Sequence, residues 1–416
     1  MNKPDGKLNE RLGGRLDGKL DGGLNSRLDG RFKLDCDPVA SKGSVVQGRT
    51  YRFTVLTSQM IRLEYDESGH FEDRATQIVL NRDFPVPEYR VAEKEDSLEI
   101  ITEQLRLTYN KKRFGKNGLC IEVKGNLSHY GSIWHFGEAF TTLKGTARTL
   151  DEADGPIPLE DGLLSKNGFS VIDDSRSFLI EDDGWVAPRD RECVDVYFLG
   201  YGRQYLACLK DFFRLSGRTP MLPRYALGNW WSRFHPYSET EYKELIGNFK
   251  KEGIPLSVAV LDMDWHLTDI DPKYGSGWTG YTWNRNLFPD PEAFMGWLHK
   301  GGLHVTLNVH PADGVRAYEE MYADMAKALG ADYQNGDKIN FDITDPKFLE
   351  AYFKYIHHTN EERGVDFWWI DWQQGRDTKL EGLDPLWMLN HYHFLDNGRN
   401  GKRRSEEHTS ELQSQF

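Results

Sequence analysis

Three apolar runs in the second half of the chain are each followed by a residue that could take part in chemistry. Asp262 and Asp264 follow the first run, His310 the second and Asp371 the third. Such runs are typical of buried parallel strands, and the carboxyl ends of these strands meet at one edge of a sheet. We therefore expect the carboxylates and the imidazole to share one site, although any one of them alone could instead cap a loop.

The three runs belong to a region in which predicted strands and helices alternate. Ser238 and Glu241 have the S-x-x-E spacing of a capping box, and Pro346 follows Asp345 at a first helical position. This alternation predicts a parallel sheet covered by helices. The predicted strands are Leu256 to Leu261, Val305 to Val309, Ile339 to Ile343 and Val365 to Ile370, and the helices begin after Ser238, near Arg316 (ending at Leu329) and after Asp345.

The first half of the chain has a different pattern. From about Arg49 to Tyr197, short alternating runs are separated by Gly, Asn, Asp and Pro, which predicts an antiparallel β-sandwich. Before it, from Lys7 to Phe32, a basic and an apolar residue recur every four positions among many glycines. Because glycine disfavours a helix, we expect this low-complexity segment to be disordered and to have no catalytic role.

These patterns divide the chain into four segments. About four or five strand–helix units fit between Ala226 and the end of the chain, whereas a closed TIM barrel needs eight. The expected fold is therefore multidomain, an antiparallel β-sandwich followed by an incomplete (β/α)8 TIM barrel. The predicted segments are a low-complexity extension (1–34), the β-sandwich (35–215), the first part of the barrel (220–403) and a tail that looks like a translated sequencing adapter (404–416).

Four stretches of the second half resemble glycoside hydrolase family 31. Residues 364–375 end in Trp-Ile-Asp-Trp-Gln-Gln-Gly, similar to the family's nucleophile signature, which commonly ends in Trp-Ile-Asp-Met-Asn-Glu. Residues 261–265 (Leu-Asp-Met-Asp-Trp), 288–291 (Phe-Pro-Asp-Pro) and 341–346 (Phe-Asp-Ile-Thr-Asp-Pro) resemble three further motifs, in the family's order. The resemblance extends roughly over residues 130–403 and is weakest in the predicted sandwich, which would be similar to galactose mutarotase.

The resemblance implies a retaining mechanism, in which one carboxylate attacks the anomeric carbon and a second carboxylic acid protonates the departing oxygen. Asp371 corresponds to the nucleophile. Asp262 corresponds to the residue that holds hydroxyls of the sugar being transferred, and Asp264 is a second candidate for that contact. The family's acid/base aspartate lies further downstream, and none of the later acidic residues has its Arg-x-x-Gly-Asp surroundings. We expect Asp377, Asp384 and Asp396 to be helix caps or solvated loop residues.

The residues around Asp371 do not identify the sugar that the site binds. Trp372, Gln373 and Gln374 stand where Met, Asn and Glu are common in the family, and Gln374 removes a charge near the sugar hydroxyls. His310 could donate a hydrogen bond to a hydroxyl or be satisfied by its neighbours. The residues expected to bind substrate are Asp262, Asp264, Trp283, His310, Trp369, Trp372 and Gln374.

Tryptophans of the second half are candidates for stacking on sugar rings. Trp278 and Trp283 share a glycine-rich loop, and the sequence does not decide whether each stacks on a sugar ring or packs in the core. Trp368 and Trp369 alternate within one predicted strand, so one must face the barrel interior and the other the helices.

The bulk composition excludes several classes of partner. A net charge of -13 argues against nucleic acid and anionic membranes, so a neutral ligand is expected. The chain has neither a metal-ligand cluster nor a nucleotide-binding motif, so we expect no cofactor and no metal. Four cysteines in no paired spacing, no apolar run of about 20 residues and no secretory leader indicate a cytoplasmic protein without a membrane span.

The expected function is a retaining, exo-acting α-glycosidase with an α-glucoside substrate, inactive as this fragment because the acid/base residue is absent. Another α-linked sugar, such as a galactoside, a xyloside or a modified sugar, is an alternative. A carbohydrate-binding relative without catalysis is a second alternative, from a different class of protein. The oligomeric state, including a homo-oligomer, is left open by the sequence.

Overall fold

The computed structural model describes residues 27–125, 132–147, 150, 153–371 and 377–399. Strands predominate in the first part of the described chain, up to Leu199. The strand prediction for residues 49–197 is confirmed. These strands are β1 (Val45–Gln47), β2 (Tyr51–Thr57), β3 (Met60–Tyr65), β4 (Ala75–Thr76), β5 (Tyr89–Glu93), β6 (Leu98–Thr102), β7 (Leu105–Tyr109), β8 (Leu119–Val123), β9 (Ile133–His135), β10 (Ser170–Asp173), β11 (Leu179–Ile180), β12 (Val186–Ala187) and β13 (Val194–Leu199).

Two antiparallel sheets of five strands each share one hydrophobic core. One has the order β1-β2-β3-β13-β10 and the other runs from β5 to β9 in sequence order, while β12, β11 and β4 form a smaller sheet. In β7 the side chains of Leu105, Leu107 and Tyr109 are buried and those between them are exposed. Phe53 and Phe198 reach the same core from the other large sheet. The period of two in the sequence thus separates a core face from a solvent face.

The second part of the described chain alternates strands with helices. Its four short strands are β14 (Trp230–Trp231), β15 (Val258–Leu261), β16 (His304–Val309) and β17 (Phe367–Ile370). The α-helices are α1 (Tyr205–Ser216), α2 (Glu239–Lys251), α3 (Pro291–Lys300), α4 (Tyr322–Leu329), α5 (Pro346–Ala351), α6 (Thr359–Arg363) and α7 (Pro385–Asn397), and a π-helical segment, Tyr352–His358, joins α5 to α6.

Strands β14 to β17 pair in parallel in the order of the sequence. Within the described residues these four strands do not close into a barrel. The helices and the sheet bury a large apolar core that includes Leu307 of β16, Phe294 of α3 and Leu389 of α7. The predicted strands that end at Leu261, Val309 and Ile370 are confirmed, each starting one or two residues later or earlier than expected.

The predicted strand from Ile339 to Ile343 is wrong. Ile339 makes an isolated antiparallel bridge with Val315, and no strand forms there among the described residues. The Asp342 carboxylate accepts hydrogen bonds from the backbone N–H of Thr344 (3.1 Å) and from its hydroxyl (2.6 Å). An aspartate that bonds the backbone two residues later forms a turn, and this turn competes with an extended strand.

The predicted helix beginning near Arg316 starts later, at Tyr322. Glu320 donates its backbone N–H to the Thr282 hydroxyl (2.9 Å). The backbone before Tyr322 is therefore bonded to a neighbouring loop instead of to a helical turn. The helix after Ser238 is confirmed with its capping box, because Ser238 and Glu241 each accept a backbone N–H from the other.

The prediction that residues up to Phe32 are disordered is wrong for the part of that segment the structure describes. From Arg27 onward the chain packs on the helices of the parallel sheet, with Leu28 and Phe32 buried. Arg31 bonds Glu350 of α5 at 2.6 Å and Asp396 of α7 at 2.7 Å. The burial of two apolar side chains explains the ordering. Residues 1–26 and the predicted adapter tail, residues 404–416, lie outside the described residues.

The helices of the described chain include none with the length and apolar character that a membrane span requires. The same residues contain no group of three or more His, Cys, Asp or Glu side chains that could hold a metal ion.

Candidate active site

Three of the predicted site residues lie side by side at the carboxyl edge of the parallel sheet. Asp262 follows β15, His310 follows β16 and Asp371 follows β17. The register pairs Leu261 with Leu307, and Val309 with Ile370, so the three strands end at neighbouring positions. The convergence predicted from the apolar runs is therefore what the structure shows.

His310 and Asp371 are in direct contact. The Nε2 atom of His310 lies 3.1 Å from Oδ2 of Asp371. The imidazole is almost fully buried, with 3% of its side chain exposed, whereas the Asp371 side chain is 21% exposed. The carboxylate can thus meet a molecule from solvent while the histidine behind it cannot.

Asp262 is held by the backbone at the start of a short 3-10 helix, Met263–Trp265. Its Oδ1 atom accepts the N–H of Met263 at 2.7 Å. Burial raises the pKa of Asp262, and the nearby carboxylates of Asp371 and Asp264 raise it further, whereas the Met263 N–H and His310 oppose the increase. These influences show that Asp262 and Asp371 share one electrostatic environment.

Asp264, by contrast, accepts a hydrogen bond from the hydroxyl of Thr268 at 3.2 Å. It also lines a small cleft together with Asp262, His235 and Tyr237. The loop-capping role and the site role that the sequence left open are both compatible with this position.

The glycine-rich loop between β15 and α3 brings Trp278 to the site. The Trp278 ring lies 5.1 Å from the His310 ring, centroid to centroid, and 39% of the residue is exposed. The next residue, Thr279, donates its hydroxyl to the backbone oxygen of His310 and accepts the N–H of Asp313 (3.2 Å). The loop is therefore attached to the same strand end that carries His310.

A buried carboxylate, Glu319, anchors the following part of this loop. It accepts the backbone N–H of Tyr281 (3.2 Å to Oε2) and the Thr282 hydroxyl (2.6 Å). Burial raises the pKa of Glu319, and the hydrogen bonds from Thr282 and Tyr281 oppose that shift. Neither Glu319 nor Thr279 was singled out from the sequence, since nothing in the local pattern distinguishes them from surface residues.

The prediction that Trp283 contacts substrate is wrong. Its ring is 1% exposed, packs against Trp265 and Phe288, and donates its Nε1–H to Asn360 at 2.8 Å. A buried ring whose polar atom is already bonded is a core residue. Of the two loop tryptophans, Trp278 is the one that is open to solvent at the site.

The alternation of Trp368 and Trp369 is as expected for a strand. Trp368 is buried on the helical side, where its Nε1–H bonds Glu361 at 2.9 Å. Trp369 lies on the opposite face, where it packs against a cluster that contains Val258 of β15 and Phe367 of its own strand. Trp369 therefore faces the inner side of the sheet, below the edge that carries Asp371.

The remaining predicted residues divide into two groups. Trp372, Gln373 and Gln374 lie outside the described residues. Asp384 is a helix cap as expected, since it accepts the N–H of Leu386 at 2.9 Å. The expectation is wrong for Asp396, which is neither a cap nor a solvated loop residue but is buried within α7, where it is paired with Arg31 and His358.

Comparison with known proteins identifies the second half of the chain. A family profile described as the TIM-barrel domain of glycosyl hydrolases family 31 matches residues 219–399. An α-xylosidase of Saccharolobus solfataricus is 27% identical over 177 residues, which are 42% of this chain and 22% of that protein. Alpha-glucosidase 2 of Bacillus thermoamyloliquefaciens is 30% identical over 137 residues, 33% of this chain and 16% of that protein.

The fold extends the likeness over most of the chain. A solved family 31 α-xylosidase from a soil metagenome, in complex with xylose, superposes with a TM-score of 0.58 at 14% identity, covering 87% of this chain and 63% of that one. The chain spans about a fifth of the length of the two curated relatives named above. The profile match, the relatives and the superposition agree that residues 219–399 are similar to part of the TIM-barrel domain of glycoside hydrolase family 31.

Proposed function

We propose that the protein containing this chain is a retaining, exo-acting α-glycosidase that uses Asp371 as its nucleophile. The observation that carries the proposal is the position of the Asp371 carboxylate, partly exposed at the carboxyl edge of the parallel sheet and next to Asp262. In a TIM barrel this edge is where catalytic residues lie. The similarity to family 31 supplies the reaction class.

In this proposal the two large antiparallel sheets are a β-sandwich similar to galactose mutarotase, and β14 to β17 are the first strands of the barrel. The other strands and the acid/base aspartate would come from residues that follow Arg403 in the parent gene. Asp384 and Asp396 are not used as the acid, because they are already engaged as a cap and as an ion-pair partner. Asp377 is not used because it lacks the Arg-x-x-Gly-Asp surroundings of the family's acid/base residue.

Three of the described site residues have a task in the proposed reaction. Asp371 forms the bond to the anomeric carbon as the bond to the leaving oxygen breaks. Asp262 accepts hydrogen bonds from sugar hydroxyls, which a carboxylate does more strongly than a neutral acceptor. The exposed face of Trp278 offers the apolar surface on which a sugar ring can stack.

The proposed substrate is an α-glucoside, as expected from the sequence. An α-xyloside is the second candidate, because curated relatives with similar sequences are named α-xylosidases. Xylose lacks the hydroxymethyl group of glucose, so a panel of aryl α-glycosides separates the two. The cytoplasmic location and the oligomeric state stay predictions from the sequence.

The test uses the full-length protein, obtained by reading the parent gene beyond the codon for Arg403. The protein is incubated with 5-fluoro-α-glucosyl fluoride and with the xylosyl equivalent, and the peptides are analysed by mass spectrometry. A retaining enzyme should accumulate a fluoroglycosyl ester on Asp371. The Asp371→Ala variant should lose both the label and at least about 1,000-fold of the hydrolysis rate, because the nucleophile takes part in both chemical steps.

Asp377→Ala is the matched control, since Asp377 is an exposed carboxylate six positions later. This variant should hydrolyse and label like the wild type. A label on another residue, or full activity in Asp371→Ala, would refute the nucleophile assignment. Sugar binding without turnover by the full-length protein would instead favour the carbohydrate-binding alternative.

A further inference from the structure

We infer that His310 is a positioning residue for Asp371, and that it does not bind the sugar as the sequence suggested. The inference rests on the proposed function, in which Asp371 is the nucleophile. Its geometric basis is the contact of 3.1 Å between Nε2 of His310 and Oδ2 of Asp371. A hydrogen bond to Oδ2 fixes the orientation of the carboxylate that attacks the anomeric carbon.

The chemistry of the two groups determines which of them donates the hydrogen bond between Nε2 of His310 and Oδ2 of Asp371. An ionised carboxylate has no hydrogen to donate, so Nε2 of His310 must be the donor. The other ring nitrogen, Nδ1, is buried and has no hydrogen-bond partner among the described residues. A buried Nδ1 cannot reach the hydroxyls of a sugar that arrives from solvent. The histidine therefore acts on the substrate only through Asp371.

The surroundings hold the imidazole in place. His310 follows β16 directly, and its backbone oxygen accepts the hydroxyl hydrogen of Thr279. The Trp278 ring covers the imidazole at a centroid distance of 5.1 Å. Because the His310 backbone is bonded to Thr279 and its ring is buried against Trp278, the donor stays directed at Oδ2. A nucleophile with one fixed oxygen loses less orientational freedom when it reacts.

The hydrogen bond also favours the ionised form of the nucleophile. A donor to a carboxylate stabilises the charged state, which is the state that attacks. Among the described residues, Asp262 and His266 on the segment after β15 also interact with His310, and Asp264 lies beside Asp262. Removing the donor leaves Asp371 beside the two carboxylates without this stabilisation. The acidic limb of the activity profile should then move to higher pH.

The deciding experiment compares two substitutions in the full-length protein. His310→Met keeps an apolar side chain of similar size but has no donor, and His310→Gln keeps an N–H that can reach the carboxylate. We expect His310→Met to lower kcat by about 10- to 100-fold, as for the loss of a hydrogen bond to a charged group, with KM within about three-fold. The acidic limb of the pH–activity profile of His310→Met should move to higher pH. His310→Gln should keep kcat within about five-fold and leave that limb in place.

The structure offers a matched control at the other end of the same strands. His299 contacts Asp366, the residue just before β17, with Nε2 at 2.8 Å from Oδ2. His299→Met removes the same kind of histidine–aspartate contact far from the sheet edge that carries Asp371. This variant should leave kcat and the acidic limb unchanged, so a general effect of losing such a pair is separated from an effect on the nucleophile.

The outcomes distinguish the two proposals. If the wild type is labelled on Asp371 while His310→Met keeps wild-type kcat and pH profile, only the role of His310 is overturned. If the wild type accepts no label and hydrolyses no α-glycoside, the proposed function fails and the role of His310 fails with it. Should His310→Met not fold, as judged by circular dichroism, His310→Asn replaces it. Its side chain is too short to reach Oδ2, and it should show the same loss relative to His310→Gln.

Discussion

Trp278 differs from the other tryptophans near the site because its exposure is combined with a fixed position. The residue is 39% exposed, yet the loop that carries it is bonded to His310 through Thr279 and to Glu319 through Thr282. A sugar that stacks on a ring held in this way loses its own freedom but does not have to order the protein. Trp278 therefore suits the role of platform that the sequence could not assign between it and Trp283.

The Trp278→Ala substitution tests this role. We expect kcat/KM for an aryl α-glycoside to fall by about 10-fold, because one aromatic stacking contact contributes about 1.5 kcal/mol. The matched control is Trp297→Ala, since Trp297 of α3 is 38% exposed but lies on the outer helix. Steady-state kinetics measure both variants. Equal losses in the two, or none in Trp278→Ala, would remove Trp278 from the substrate site.

At the residue scale, the sequence predicts those site residues that directly follow a strand. Asp262, His310 and Asp371 each end a run of apolar residues, so their convergence follows from the parallel register. The exposure of Trp278 and the burial of Trp283 could not be predicted in this way. Their difference depends on Glu319, which is distant in sequence and carries no local signal of its contact with the loop.

The start of helix α2 is determined by local sequence. Its start is defined by the reciprocal bonds of Ser238 and Glu241, in which the Ser238 N–H donates to Glu241 at 2.8 Å. Substitution of Ser238 by Ala removes the side-chain cap, and we expect a loss of about 1 kcal/mol in the free energy of unfolding. Urea titration measures it.

Thr240→Ala is the control for this prediction, since Thr240 is an exposed residue of the same first turn. Alanine has a higher helix propensity than threonine, so this variant should be neutral or slightly stabilising. A loss in Thr240→Ala as large as that in Ser238→Ala would mean that the capping box does not limit the stability of the helix.

The elements that the sequence misplaced share one cause. The predicted strand at Ile339 is replaced by a turn that Asp342 forms with Thr344, and the start of α4 is delayed because Glu320 is bonded to Thr282. In both places a side-chain oxygen competes for backbone N–H groups that a strand or helix would otherwise use. Apolar periodicity, from which these elements were predicted, contains no information on such competition.

At the scale of the whole molecule, the segment before β1 connects the two halves of the chain. Phe32 packs against Phe353 and Tyr392 on the helical side, with ring centroids 5.6 and 5.2 Å away. Its backbone oxygen lies so close to Gly184, at the turn between β11 and β12, that a Cβ there would be 2.0 Å from it. The Tyr392 hydroxyl accepts the N–H of Val186 at 3.2 Å. The Phe32 ring on the helical side, the Phe32 backbone at Gly184 and the Tyr392 hydroxyl at Val186 thus connect the antiparallel part to the parallel part.

Phe32→Ala should therefore destabilise the protein by about 3 to 5 kcal/mol, because this is the usual cost of removing a buried phenylalanine ring. The basic, glycine-rich repeat around Phe32 had instead predicted disorder. Phe213→Ala in α1 is the control, because Phe213 is exposed and its truncation should cost less than about 1 kcal/mol. Urea unfolding followed by tryptophan fluorescence measures both. If Phe32→Ala costs no more than Phe213→Ala, residues 27–34 do not hold the two halves together. A large loss in Phe32→Ala alone would mean that this segment belongs to the folded core of the molecule.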